Sequence, residues 1–258
     1  SADGDHTAMD KLLALERQLE RDQPGSNLAA YVTFREMSAE YALKLQQKGD
    51  FTKNQKEWLE RLARFVQAYP KADDTPDALL QLGMVNEFLN KEVEAKNWYE
   101  KLAKDFPSHA LAPKALGARR RLDCEGKPFE LTGQLVGGGN FDIARLNGKV
   151  VVVYYWASWN GQSASDFAKL KVLMAAWAPK GVELVCVNLD NSPPTADENR
   201  TQIQAHHLYH PGGLESPLAA QYGVMVLPHL FVVDKSGKVA SRTAQINNLE
   251  DELKKLIK

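Results

Sequence analysis

The stretch Val150-Val151-Val152-Val153-Tyr154-Tyr155-Trp156-Ala157-Ser158-Trp159-Asn160-Gly161-Gln162-Ser163 decides how this chain folds. Its first seven residues are β-branched or aromatic without polar alternation, as in a strand buried on both faces between helical layers. A helical pattern begins at about Ser165 and sets Phe167, Leu170, Leu173, Met174 and Trp177 on one side. Between the two, a sharp turn meets a helix start, where free amide N–H groups and the positive end of the helix dipole converge. A thiol at such a turn has a lowered pKa and is primed for disulfide exchange. This turn holds no thiol.

Downstream, Pro179-Lys180-Gly181 ends the helix and Val182 to Leu189 reads as a second buried strand. Thr195 and Glu198 form a capping box for a helix containing Ile203. After Pro211-Gly212-Gly213-Leu214 comes a short helix around Leu218-Ala219. A strand to Val233, a turn at Asp234 to Lys238, a strand from Val239 to Arg242 and a helix with Leu249, Leu253 and Leu256 complete the chain. The order β–α–β–α–β–β–α predicts an α/β domain with a mixed sheet. Upstream, Phe129-Glu130-Leu131 and Phe141-Asp142-Ile143 flank Gly137-Gly138-Gly139-Asn140 and read as a hairpin. That glycine run lacks the lysine, preceding strand and following helix of a phosphate loop.

From His6 to Leu122 the periodicity is helical. Residues 1–122 are expected to form an all-α domain, 123–128 a linker and 129–258 the α/β domain. Leu82-Gly83, Ala95, Tyr99, Leu102 and Pro107 resemble one tetratricopeptide unit, with Leu79 and Asn86 standing where tryptophan and tyrosine are usual. The expected fold class is therefore α plus α/β, with tetratricopeptide-like helical hairpins first. Such hairpins serve as scaffold or as a concave surface for a polypeptide. Arg119-Arg120-Arg121 reads as a solvated helix end that offsets the dipole.

The formal net charge of −1 argues against nucleic acid as a partner, and no apolar run reaches a bilayer-spanning length. Two cysteines, Cys124 and Cys186, are too few for a disulfide framework or a zinc site. Cys186 reads as a small hydrophobe in a buried strand and Cys124 as a linker residue open to solvent; a single bridge between them is the minor alternative. His206, His207 and His210 cluster without a carboxylate or thiol at ligand spacing, so they read as a polar helix end and loop, and no metal is expected.

Gly148-Lys149-Val150 to Trp159, Tyr222-Gly223-Val224-Met225-Val226-Leu227-Pro228 and Leu230 to Val239 resemble, in order and spacing, the thioredoxin-like redoxins, specifically the extracytoplasmic bacterial TlpA-like branch. The resemblance covers about Lys127 to Lys258. It implies a cis-proline at Pro228 and places the family's two catalytic cysteines at Asn160 and Ser163, the ends of Asn160-Gly161-Gln162-Ser163. The buried acid of thioredoxin falls on Tyr154. Disulfide exchange needs a thiolate and a second thiol, so the resemblance implies a fold without its reaction and without a cofactor. It also implies a shallow peptide groove at Trp159, Leu227, Pro228 and His229 and an extracytoplasmic location. The rival expectation is a thiol–disulfide oxidoreductase that uses Cys124 or Cys186.

Overall fold

A computed structural model describes residues 2–47, 50–193 and 203–257. The chain divides into two compact units, Ser1–Ala112 and Pro113–Lys258. The first is built from α1 (Ala2–Asp22), α2 (Asn27–Gln46), α3 (Phe51–Ala68), α4 (Thr75–Phe88) and α5 (Glu92–Asp105). Side chains set the helix starts. Ser26 Oγ accepts from the Ala29 N–H and Asp50 Oδ1 from the Lys53 N–H, satisfying donors that the first turn leaves free. In the α4–α5 hairpin, a Cβ on Gly83 would lie 2.2 Å from the Tyr99 ring, so only glycine admits that ring between the helices. Asn90 makes the turn with φ +57°.

The second unit contains α6 (Ala112–Leu122, from Pro113 onward), a hairpin of β1 (Thr132–Gln134) and β2 (Asn140–Asp142), then β3 (Val150–Trp156), α7 (Gly161–Trp177), β4 (Val182–Asn188), β5 (His206–Tyr209), α8 (Pro217–Ala220), β6 (His229–Val233), β7 (Val239–Ala244) and α9 (Leu249–Leu256). The sheet order is β5-β4-β3-β6-β7. The β5, β4 and β3 strands run parallel, and β6 and β7 join antiparallel. All seven β3 residues are buried. Because side chains alternate faces, Val150, Val152, Tyr154 and Trp156 pack with Phe167, Leu170 and Met174 of α7 and Leu249 and Leu253 of α9. Val151, Val153 and Tyr155 face Phe129, Phe141, Tyr222 and Phe231. Each fully buried valine contributes about 1.5 kcal/mol or more, which makes this strand the centre of the unit.

Four expectations change. The first hairpin strand begins at Thr132, not Phe129, because Phe129 and Leu131 are spent in the core while residues 132–134 pair with 140–142. His206 and His207 belong to a strand, not to a helix end; β5 pairs with β4, with only Leu208 fully buried, too weak a pattern to stand out. Cys124 is buried rather than exposed. Arg121 is buried too, its Nε donating to the Tyr222 carbonyl at 3.1 Å. The expected Thr195–Glu198 capping box lies outside the described residues. Among the described residues no helix is long and apolar enough to cross a membrane.

Candidate functional site

The β3 strand delivers Ala157 to Ser163 to the carboxyl end of the sheet, and α7 starts at Gly161, four residues before the helical periodicity becomes legible. Asn160 is its cap. Asn160 Oδ1 accepts from the Ser163 N–H at 3.0 Å and from the Ser163 hydroxyl at 3.2 Å. Its Nδ2 donates to the Leu227 carbonyl at 3.1 Å. The Leu227–Pro228 bond is cis, as the resemblance implied. One side-chain amide therefore ties the start of α7 to the cis-proline loop, 67 residues away in sequence.

Beneath this tie the polar groups are satisfied among themselves. The Tyr154 phenol donates to Asp166 Oδ2 at 3.1 Å, and Gln162 Nε2 donates to Asp166 Oδ1 at 2.8 Å. Asp166 and Ser163 are buried. Burial, first among several causes, raises the Tyr154 pKa, so the phenol stays protonated and serves as a donor. On the other side of the turn, Asp190 Oδ1 accepts from the Ser158 N–H at 2.8 Å and the Ser158 hydroxyl at 3.0 Å, while Asn188 Nδ2 holds Asp190 Oδ2 at 2.8 Å. The turn is pinned at both ends. Residues 160, 162 and 163 act within it as a cap and its supports.

The residues expected to line a groove separate into two sets. Trp159 is 60% exposed and Pro228 half-buried, with Leu227 at 9%. Val226, which the sequence did not single out, is 70% exposed. With Trp159 it gives the loop surface two large apolar side chains in solvent. Only structure reveals it, since a valine before Leu-Pro looks like any core valine. His229 turns the other way. It stands opposite Tyr155 across β3–β6, its ring lies 4.7 Å from the Phe231 ring, and its Nε2 is sealed from solvent without a partner.

Burial, reinforced by the Arg121 and Arg242 charges, lowers the His229 pKa to about 3. The unfolded chain takes up this proton below about pH 6.5, whereas the folded chain refuses it until about pH 3. The neutral ring's contribution is thus fully present above about pH 6.5 and is lost as pH falls toward 3. Chemical denaturation from pH 7 to pH 4 is expected to show an acid loss of a few kcal/mol, discounted for the partly exposed residue. His229→Leu should shrink that loss. An identical loss in the variant would assign the acid sensitivity to other groups.

Neither thiol is in this turn, and Cys186 stands opposite Tyr154 across β3–β4. Cys124 and Cys186 are both free and buried. Burial pushes the Cys124 thiol up to about 11, against the opposing pull of the Arg242 and Arg121 charges, and burial alone raises Cys186 further. Among the described residues no group of three or more His, Cys, Asp or Glu side chains has the geometry to hold a metal ion.

Several known proteins are similar to part of this chain. A family model described as thioredoxin-like matches residues 147–239. The thiol-disulfide oxidoreductase ResA of Bacillus anthracis is 27% identical over 113 residues, which cover 41% of this chain and 60% of that protein. ResA of Bacillus cereus (strain ATCC 10987 / NRS 248) is 24% identical over 124 residues, covering 46% of this chain and 70% of that protein. The chain thus spans about 60% of the length of the first of these relatives. Among solved structures, a thiol-disulfide oxidoreductase from Bacteroides fragilis NCTC 9343 superposes on 50% of this chain and 98% of its own, with 22% identity and a TM-score of 0.44. The part of the chain that carries β3, the capped turn and the cis-proline is thus similar to the family described as thioredoxin-like.

Proposed function

We propose that this protein is a redox-inactive member of its family, in which the thioredoxin-like unit serves as a polypeptide-docking module. The observation that carries the reading is the Asn160 amide, hydrogen-bonded at both ends where the resemblance places an attacking thiol. Asparagine supplies no thiolate, and Ser163, buried and bonded to Asn160, supplies no resolving thiol. What supports docking is the exposed Trp159 and Val226 beside the cis-proline. Aromatic and aliphatic side chains held on a pinned loop lose little freedom when a partner covers them.

The rival enzyme reading rests on Cys124 or Cys186. With its pKa near 11, Cys124 is thiolate in only about one molecule in ten thousand at pH 7. Neither thiol has the other as a partner. With dithiothreitol as reductant and insulin as substrate, the chain is expected to show no turnover above the uncatalysed background, and Cys124→Ala no change. Turnover that disappears in Cys124→Ala would overturn the redox-inactive reading. By the same resemblance we place the protein outside the cytoplasm.

A second reading assigns partner binding to the helical unit. It is favoured by the tetratricopeptide-like packing of Tyr99 against Gly83 and by a cleft of about 320 Å3 lined by Glu16, Thr33, Arg61, Phe65 and Tyr69.

A further inference from the structure

We infer that a cavity of about 440 Å3 beside the end of α6 binds a small amphiphilic carboxylic acid, held as its monoanion by Arg120, Lys127 and the Tyr222 phenol, with its apolar body on Leu116 and Pro128. Neither the Asn160 turn nor Pro228 lines this cavity, so the site stands apart from the docking reading. The run Arg119-Arg120-Arg121 builds it. Successive residues of a helix point about 100° apart, so the three guanidinium groups take different directions. Arg121 turns inward and donates to the Tyr222 carbonyl at 3.1 Å, which brings Tyr222 to the helix end. The Tyr222 hydroxyl accepts from the Glu130 N–H at 3.0 Å, and Gln221 Nε2 donates to the Glu130 carbonyl at 2.7 Å, closing the other wall.

The lining carries unused donors. Arg120 and Lys127 form no ion pair with any described residue, whereas Arg119 and Asp123, which also line the cavity, are engaged by other groups. Tyr222 is 2% exposed, and once its oxygen has accepted from Glu130 its O–H finds no acceptor among the described residues. Burial, the largest cause, raises its pKa even though the Glu130 N–H and the Arg120 charge pull it down, so the phenol stays a donor at neutral pH with a guanidinium close by. A buried donor without an acceptor is costly, and an anion in the cavity removes that cost. The charge left over sets the valence. Two free cations face the free Glu130 carboxylate, so a monoanion balances the site and a phosphate dianion does not. The negative end of the α6 dipole opposes any anion, but its last carbonyls already accept from the Asp123 and Cys124 N–H groups. Leu116 is 50% exposed, and an alkyl or aryl body laid on it gains by leaving water. The volume is that of a small-molecule site rather than of a bound chain.

Isothermal titration calorimetry of the full-length chain with sodium phenylbutyrate is expected to show saturable binding. Phenylbutyramide, its uncharged counterpart, should bind more weakly by about tenfold or more. Arg120→Gln, at an exposed residue, should weaken the acid by a similar factor without changing the melting temperature. Tyr222→Phe keeps the ring stacked 4.5 Å from Phe129 and should weaken the acid by roughly two- to tenfold. No saturation up to about 10 mM acid overturns the site. Equal binding of acid and amide overturns recognition of the anion. Unchanged acid binding in a folded Arg120→Gln variant puts the ligand elsewhere and overturns the assignment. Tighter binding of inorganic phosphate than of the acid overturns the choice of a monocarboxylate.

Discussion

The double substitution Asn160→Cys with Ser163→Cys is expected to convert this chain into a thiol–disulfide exchange catalyst. The argument starts from distance. The two side chains already touch, with Ser163 Oγ 3.2 Å from Asn160 Oδ1, and the cap residue and the residue three further along share one face of the first turn. Sulfur at both positions falls within reach of the 2.0 Å bond and the ~3.8 Å Cβ separation of a disulfide. Electrostatics favours the first thiol, because position 160 caps the N-terminus of α7 and a thiolate there meets free N–H groups and the dipole's positive end. The cis Leu227–Pro228 loop is already in place beside it.

Two effects oppose the gain. Removing Asn160 deletes the helix cap and the tie to Leu227, at a cost of about 1 kcal/mol each, against a fold of ordinary marginal stability. Tyr154 offers a neutral phenol where thioredoxin itself has an acid to move protons, so turnover stays below that of an intact relative. The balance still favours activity, since on the redox-inactive reading proposed above the unmodified chain starts from background. Insulin reduction is expected to rise by about tenfold or more over its background, a difference of at least ~1.4 kcal/mol in barrier. Asn160→Cys alone should instead accumulate mixed disulfides, having an attacking thiol and no resolving one. A double variant that forms its internal disulfide yet fails to turn over would place the lesion in the groove rather than in the missing sulfurs.

How much of this was legible beforehand follows from what sequence patterns encode. The β3 run and its burial on both faces were readable, because a continuous β-branched run has one dominant structural meaning, and the cis-proline was readable as what the resemblance of residues 222–228 implied. That positions 160 and 163 carry no sulfur was readable too. The role those residues took up was not. That Asn160 Nδ2 reaches Leu227 is a contact between segments 67 residues apart, and no local pattern records it. The inward turn of His229 was hidden for a similar reason: its partner is Tyr155 on another strand, and imidazole fits a groove or a core equally well. The affiliation of α6 was hidden by the nature of helical periodicity, which reports that one face is apolar and not which body covers it.

That affiliation yields the second large effect, in which two physical arguments predict opposite signs. Gly117 sits inside α6, where replacement by alanine normally stabilises a helix by about 1 kcal/mol. Here a Cβ on Gly117 would lie 1.8 Å from the Ala220 carbonyl oxygen and 2.5 Å from the Gly223 nitrogen, both backbone atoms. Facing it, Gly223 has φ +55°, and a Cβ there would lie 2.2 Å from the Ala118 nitrogen. Helix and loop thus touch backbone to backbone, with Arg121 donating to the Tyr222 carbonyl and Lys114 paired with Glu215 around the contact. Backbone atoms this close cannot yield by a rotamer change, so the clash wins over propensity by several kcal/mol. Gly117→Ala and Gly223→Ala are each expected to lower the melting temperature by about 10 °C, at roughly 2–4 °C per kcal/mol for a unit of this size. A rise in melting temperature for Gly117→Ala would mean that propensity dominates and that α6 packs loosely on the loop. The same contact predicts that a chain beginning at Pro113 folds cooperatively. One beginning at Asp123 exposes Tyr222 and Cys124, now buried beside α6, and melts lower or not cooperatively. Equal stability of the two chains would return α6 to the helical domain and move the boundary back to residue 122.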